Sequence, residues 1–407
     1  MSTEDTTMLR DRLPGPAPHE HHFTSGLRTP TVTARLGIWL GVSFGLCFVT
    51  GLISHFLQHP PFFFTWPTRP VSLYRWTQGL HVVTGTAAIP LLGVKLWSIY
   101  PKLFARFDLS SVRAAVVTVV ERGSIMVLVG ASLFQLLTGL FNTAQFYPWA
   151  FFFTTAHYAV AWVAIGALLV HIAIKLPVIR TALGVPVSST VDSATLEVTP
   201  APAPAAEPSG RRGPTRRTVL RGTWLAAGAA VLATAGGAVP LLRTVSVLAT
   251  RTGEGPQGLP INRSAQAAGV QEKATAADWA VVVTGPGGSR SFTLAQLNAM
   301  PQTTQTLPIA CVEGWSASAE WTGVPVADLV AAVGGSTGAD VRFASFDTGL
   351  YGSSVLPARH ARSPLTLLAT RLNGEVLTLD HGYPARLIAP SRPGVTQTKW
   401  VSTMDVL

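Results

Sequence analysis

The sequence predicts a multi-domain chain: an α-helical transmembrane bundle of four helices, one further helix behind it, and then an α+β domain in water. Three observations predict this. Of 407 residues, 48% are hydrophobic and only 12% charged, whereas soluble domains average roughly 25% charged residues. The long apolar runs all lie before about residue 180, with an ordinary mixture after about residue 270, so membrane and aqueous parts follow one another. Beyond Thr275 short β-rich pieces such as Trp279-Ala280-Val281-Val282-Val283 alternate with Gly/Pro turns and a helix around Val326 to Val333, a pattern for an α+β domain. The segments are a tail over 1–32, the bundle over 33–180, a linker over 181–214, a basic segment with a fifth helix over 215–245, a second linker over 246–274, and the aqueous domain over 275–407.

Each spanning helix needs about 20 apolar residues at 1.5 Å of rise. The runs near 36–56, 73–94, 123–141 and 151–174 meet that length. Arg28, Arg35, Lys95, Lys102, Arg106, Arg113, Lys175 and Arg180 flank one set of helix ends, while the loop from Phe141 to Trp149 carries no charge. The excess of positive charge marks the cytoplasmic side, so the amino terminus is expected inside, despite Arg69 and Arg75 in the first outer loop. The net charge of +10 sits at the ends of apolar segments and forms no stripe interleaved with aromatics, which speaks against a nucleic-acid partner.

From Val185 to Gly210 the chain is mostly Pro, Ala, Ser and Thr, too poor in large apolar residues to order itself, and is expected to be a flexible cytoplasmic linker. Thr215-Arg216-Arg217-Thr218-Val219-Leu220-Arg221 and the Ala/Gly-rich apolar stretch from Thr223 to Leu242 follow. This resembles a twin-arginine export signal, and would bring the export machinery in as a partner. A basic anchor ahead of an ordinary fifth helix is the other reading. Both put the last domain outside, on a multi-pass protein of the cell membrane.

His81, His157 and His171 lie within the apolar runs, where ionisable side chains are rare and usually functional. His157 and His171 are 14 residues apart, about 21 Å of rise and only about 40° from the same face, a spacing that suits two stacked sites. His81 and His157 lie at similar depths on helices two and four and can face each other, as iron porphyrins require. Arg75-Trp76-Thr77-Gln78-Gly79-Leu80-His81 and His157-Tyr158-Ala159-Val160-Ala161-Trp162 resemble the four-helix cytochrome b subunits of formate dehydrogenases and hydrogenases. The resemblance, over residues 33–180, implies a haem b clasped by His81 and His157, with a quinone pool as partner. In that family a second haem would pair His171 with a histidine near the inner end of helix one. Here Arg35-Leu36-Gly37-Ile38-Trp39-Leu40 holds none. One haem is therefore expected with a second left open, and His171 is a second-haem ligand, a quinone contact or a structural group.

Cys47 falls in an apolar run and Cys311 in the aqueous part, so no disulfide between them is expected. A cysteine by itself is often only a small buried hydrophobe. Its neighbours, Ala310-Cys311-Val312-Glu313-Gly314-Trp315-Ser316 and Trp321-Thr322-Gly323-Val324-Pro325, are more specific, as is the later Asp380-His381-Gly382-Tyr383-Pro384-Ala385-Arg386-Leu387-Ile388-Ala389-Pro390 with Lys399-Trp400. In this order the two segments resemble the sulfite oxidase superfamily, especially its bacterial methionine-sulfoxide reductase catalytic subunits, over residues 259–407. The resemblance implies a molybdopterin cofactor with Cys311 as the molybdenum ligand, and His381, Arg386, Lys399 and Ser353 on the pterin and its phosphate. Tyr351 would act as proton donor or substrate contact.

A soft thiolate suits such a metal, and Arg386 and Lys399 offer a planar fork and a point charge to a phosphate. The pattern departs from sulfite oxidases just before the cysteine. Pro308-Ile309-Ala310 precede Cys311 where those enzymes carry an arginine, leaving Arg342, Arg359 or Arg362 to substitute in space. The family's added dimerisation domain is also not expected after Leu407. The expected activity is extracytoplasmic oxygen-atom transfer on a small S- or N-oxide, coupled through haem b to quinone. The alternatives are a sulfite dehydrogenase feeding quinone and a non-enzymatic electron carrier with a degenerate outer domain.

Overall fold

A computed structural model describes residues 25–104, 111–200, 214–250, 255–336 and 338–407. Most of the N-terminal tail, Arg106 and positions 201–213 of the first linker lie outside the described residues. Four helices are long and apolar enough to cross a membrane: α1 Pro30–Gln58, α2 Leu73–Ile99, α3 Val112–Thr143 and α4 Phe153–Gly184. Each outruns the expected apolar run, because the helix continues through the polar residues flanking it. Their exposed side chains include Val42, Val49, Leu137, Trp162, Leu169 and Val170, an apolar surface of the kind that lipid covers.

The chain divides into two compact units. The first comprises the described parts of Met1–Phe44, Ala87–Phe134 and Val160–Gly228. Here Val32, Leu36 and Leu91 are buried with Val187, Val219 and Leu220 packed on them. Arg35 donates to the carbonyls of Ala182 and Val185 at 3.1 and 2.7 Å, and Lys175 pairs with Glu121. The expected flexible linker is in part ordered. Residues up to Gly184 extend α4, and β1 Thr190–Val191 pairs with β2 Val198–Thr199, with Val191 buried against Ala34 and Ala182. One apolar side chain and a two-residue ladder suffice, a signal too small for composition to show.

The fifth helix, α5 Arg216–Thr234, starts and stops earlier than expected and is not among the four membrane-length helices. Arg216 donates to the carbonyls of Gly26, Ser188 and Ser189, so one arginine of the pair is an anchor within this unit.

The second unit comprises Gly45–Thr86, Gln135–Ala159 and Ala229–Leu407, that is, one end of the helices together with the α+β domain. Two five-stranded sheets build that domain. In the first, β5 Thr303–Ala310, β6 Ser316–Pro325 and β9 Leu367–Leu372 lie side by side, with β10 Glu375–Val376 and β11 Arg386–Ile388 both on β9. The second runs β4 Gly288–Thr293, β3 Ala280–Gly285, β12 Val401–Val406, β7 Val341–Ser345, β8 Ser353–Leu356. Its β3 and β12 are parallel and its other pairs antiparallel.

The period-two pattern works as expected: Val281 and Val283 of β3 are buried, and Ala317, Ala319 and Trp321 of β6 alternate with exposed Ser318 and Glu320. Helix α6 Leu294–Ala299 begins with a capping box from Thr293 and Gln296. Helix α7 Val326–Ala332 buries Val326, Leu329 and Val330 in the core beneath β3, β7 and β12.

The domain also begins earlier than the expected Thr275. Leu259 belongs to the core around Cys311, and Ala265, Val270 and Ala274 are buried with Trp400. Two single-turn helices, Ala265–Ala268 and Gln271–Ala274, carry too few large apolar side chains to announce a core.

Candidate functional site

Cys311 stands at the end of β5, at the root of a tight hairpin into β6. Its amide donates to the Trp315 carbonyl at 2.9 Å, and the Gly314 amide donates back to the Cys311 carbonyl at 3.1 Å. Gly314 sits at φ +77°, the left-handed region that glycine adopts without strain. Cys311 is fully buried and in no disulfide. It lines a cleft with Leu259, Asn262, Trp315, His381 and Arg386 among its walls.

Arg386, on the short strand β11, is only 5% exposed. One Nη donates to the His381 carbonyl at 3.3 Å, Nε has no hydrogen-bond partner, and the guanidinium lies over the Trp321 ring at 5.5 Å. No carboxylate pairs with it among the described residues. Burial lowers its pKa to about 10. Lys399 stands nearby: a Cβ on Gly382 would meet Lys399 Cβ at 3.0 Å and Arg386 Cβ at 3.2 Å. Its ammonium donates to the carbonyls of Asp380 and Arg263, and burial, followed by the Arg386 charge, lowers its pKa to about 7. A buried guanidinium with a spare donor and no carboxylate on it, near the half-buried Lys399 ammonium, fits an anionic ligand, as a phosphate-bearing pterin would be.

His381 lines the same cleft. Its Nε2 is 2.7 Å from the Pro256 carbonyl, so that nitrogen carries the proton. Burial, with Arg386 beside it, lowers its pKa to about 4, leaving Nδ1 of a neutral ring only the capacity to accept. Ser353 is not brought to the cleft. It is exposed on β8, and the pleat turns its neighbour Ser354 inward instead, to Thr398 at 2.7 Å. Tyr351 packs against the core around Cys311 but is not part of the cleft wall. Burial and then Cys311 raise its hydroxyl above the usual value, and the Thr154 side chain bonds it.

None of Arg342, Arg359 and Arg362 lines the cleft, so the expected spatial substitutes for the missing arginine are not there. Asn262 and Trp315 are cleft residues that the motifs did not single out. Asn262 reaches the cleft by chain reversal, for which no local pattern exists. Trp315 sits inside the cysteine segment itself.

In the helices of the same unit His81 and His157 face each other, ring centroids 6.3 Å apart. His81 Nδ1 is held by the Cys47 carbonyl at 3.0 Å and the Thr50 hydroxyl at 3.1 Å; His157 Nδ1 is held by the Thr138 hydroxyl at 3.0 Å. Both Nε2 atoms stay outside these bonds. Two imidazoles on one metal, each nitrogen about 2 Å from it, place their centroids about 6 Å apart. Hydrogen bonds of this kind to Nδ1 are those that orient ligand histidines. Gly51 and Gly139 back the rings, a Cβ there falling 3.2 Å from His81 Cε1 and 3.8 Å from His157 Cε1. The pair therefore fits a haem iron. His171 lies in the other unit, where no second histidine is found among the described residues.

These features define a class. Residues 267–407 match the family described as "Oxidoreductase molybdopterin binding domain", and the C-terminal domain is an oxidoreductase domain of the sulfite oxidase superfamily. Among individual relatives, the chain is 32% identical over 116 residues to the putative protein-methionine-sulfoxide reductase subunit YedZ1 of Azospira oryzae, covering 28% of this chain and 44% of that one. It is 31% identical over 154 residues to mitochondrial sulfite oxidase of Rattus norvegicus, covering 31% of this chain and 28% of that one. The chain thus spans less than half the length of the curated relatives it matches. The crystal structure of the sulfane dehydrogenase SoxCD from Paracoccus pantotrophus aligns with a TM-score of 0.29 at 25% identity, over 32% of this chain and 38% of that one.

Proposed function

We propose that the protein is a membrane-bound molybdopterin-dependent oxidoreductase that passes electrons between a molybdenum held by Cys311 and the quinone pool, through a haem b held by His81 and His157. The carrying observation is that Cys311 and the partly unpaired Arg386 line one cleft, in the compact unit that also holds the facing imidazoles. When bound, the molybdenum cofactor supplies two-electron oxygen-atom transfer. Arg386 and Lys399 hold the pterin phosphate, Lys399 taking its full charge as the anion arrives. His381, fixed through Pro256, orients the loop and accepts at Nδ1. Tyr351, packed on the core around Cys311 beside the cleft, would supply a proton or contact the substrate.

The substrate we assign is a neutral S- or N-oxide. Reduction consumes two electrons and two protons, yielding the deoxygenated acceptor and water, and oxidation of one quinol to quinone supplies both. A neutral substrate agrees with Arg342, Arg359 and Arg362 all standing outside the cleft wall, and with the methionine-sulfoxide reductase subunit among the relatives. His171 we assign to the quinone side. The basic flanks support a multi-pass protein in the cell membrane, N-terminus cytoplasmic and catalytic domain extracytoplasmic, with the twin-arginine-like segment directing export.

Metal analysis and a redox titration of purified protein test this reading. One molybdenum and one b-type haem per chain are expected. Cys311→Ala should lose molybdenum and substrate-dependent haem oxidation, while His81→Ala should lose the haem spectrum with molybdenum retained. Haem oxidation by substrate that persists unchanged in Cys311→Ala sinks the assignment.

A further inference from the structure

The peptide next to Cys311 is held by side chains of the helices. The Val312 carbonyl accepts from Asn142 Nδ2 at 3.0 Å and lies 3.5 Å from Gln78 Nε2. Both amides are buried, Asn142 at 6% exposure and Gln78 at 7%. A tyrosine orients each: Tyr147 donates to Asn142 Oδ1 at 2.9 Å, and Tyr74 donates to Gln78 Oε1 at 3.4 Å. With the oxygens so occupied, the NH₂ groups of both amides are turned to the one carbonyl. Buried amides in apolar helices are expensive unless satisfied, and few are kept without a function.

Their positions along the helices relate them to the imidazole pair. Gln78 is three residues from His81 on α2, about 4.5 Å of rise. Asn142 is one turn from Thr138 on α3, and the Thr138 hydroxyl bonds His157 Nδ1. The carbonyl one residue beyond Cys311 is thus gripped by the helix that carries one facing imidazole and by the helix that orients the other. Gly314 of the same hairpin meets Thr143 and Val82, atoms so near that a Cβ there would fall 2.7 Å from Thr143 Cγ2 and 3.4 Å from Val82 Cγ2. Arg75 binds the Ser316 and Ser318 hydroxyls at 2.7 and 2.8 Å, and Arg243 binds the Ser316 carbonyl.

We infer that Gln78, Asn142 and the Val312 carbonyl form the electron-transfer contact of this protein, registering the Cys311 hairpin over the His81–His157 pair. The inference rests on the two cofactors of the proposed function. Each passage moves one electron between the metal on Cys311 and the haem iron, with no bond made or broken. Two passages complete one turnover, and the quinol/quinone couple supplies or takes the two electrons with two protons. Gln78 and Asn142 are positioning residues. Arg75 and Arg243 fasten the hairpin independently at Ser316, so the amides serve register rather than attachment.

The test is the intramolecular electron-transfer rate in full-length, membrane-embedded protein, followed at the haem after flash reduction by a photoexcited flavin. Asn142→Leu and Gln78→Met should each retain molybdenum, the haem spectrum and the haem midpoint potential, yet slow the transfer by about tenfold, the weight of one lost hydrogen bond. Asn142→Gln, which keeps an N–H donor, should recover most of the rate. Wild-type rates in both variants with both cofactors present overturn the inference, as does slowing that merely follows cofactor loss. If Asn142→Leu does not fold, Gln78→Met decides alone. Wild-type protein lacking molybdenum or haem removes the proposed function itself, and the inference with it.

Discussion

Arg386 and Lys399 show how a binding site is written in single side chains. A guanidinium buried at 5% exposure with an unpartnered Nε costs folding free energy until an anion reaches it. Arg386→Met, close in volume, should therefore abolish cofactor binding and yet stabilise cofactor-free protein by about 1–3 kcal/mol, readable by chemical denaturation of both forms. The same burial sets the pH dependence of the cofactor-free domain. Lys399 titrates near 7 when folded, against an ordinary 10.5, so the unfolded chain binds more protons between those values. Stability should rise with pH across that window, and Lys399→Met should flatten the rise. His381 and His360, lowered by burial to about 4 and about 3 from 6.5, add a loss of stability as pH falls below 6.5, because they must charge on unfolding. Denaturation midpoints measured from pH 4 to 10 check both slopes.

At the scale of elements, the β5–β6 hairpin decides where Cys311 points. Its turn needs Gly314 twice, for φ +77° and for the close approach to Thr143 and Val82. Gly314→Ala should destabilise this hairpin by about 1–3 kcal/mol and loosen its hold on the helices, seen as faster amide exchange in 311–316 without loss of helix content. The helices themselves are long and uniformly apolar, so their polar residues carry the information. Gln78 lay in the segment quoted around His81 and Asn142 in the uncharged loop after Phe141. Neither was marked by its sequence surroundings, and their common target on Val312 lies beyond any local pattern.

For the whole molecule, the division into two units cuts across the helices rather than between the apolar and aqueous parts of the sequence. The end of the bundle that carries His81 and His157 belongs to the same compact unit as the α+β domain. Trp66, between α1 and α2, donates to the Ser391 carbonyl at 2.9 Å, and the Ser391 amide donates to the Val71 carbonyl at 3.1 Å, so the loop before β12 is bound to the helix connection as well.

The sequence by itself determined what periodicity, composition and short motifs encode. Four apolar helices, the alternating strands of the α+β domain, and the cysteine and Arg386–Lys399 segments could all be read from it, because each depends on residues near one another in the chain. Only the tertiary structure decided the rest: that the domain core begins at Leu259, that Asn262 joins Cys311 at the cleft, that Ser353 points away while His381 spends its proton on Pro256, and that Gln78 and Asn142 converge on Val312. Those outcomes rest on contacts between residues tens to hundreds of positions apart, which packing selects and no local pattern announces.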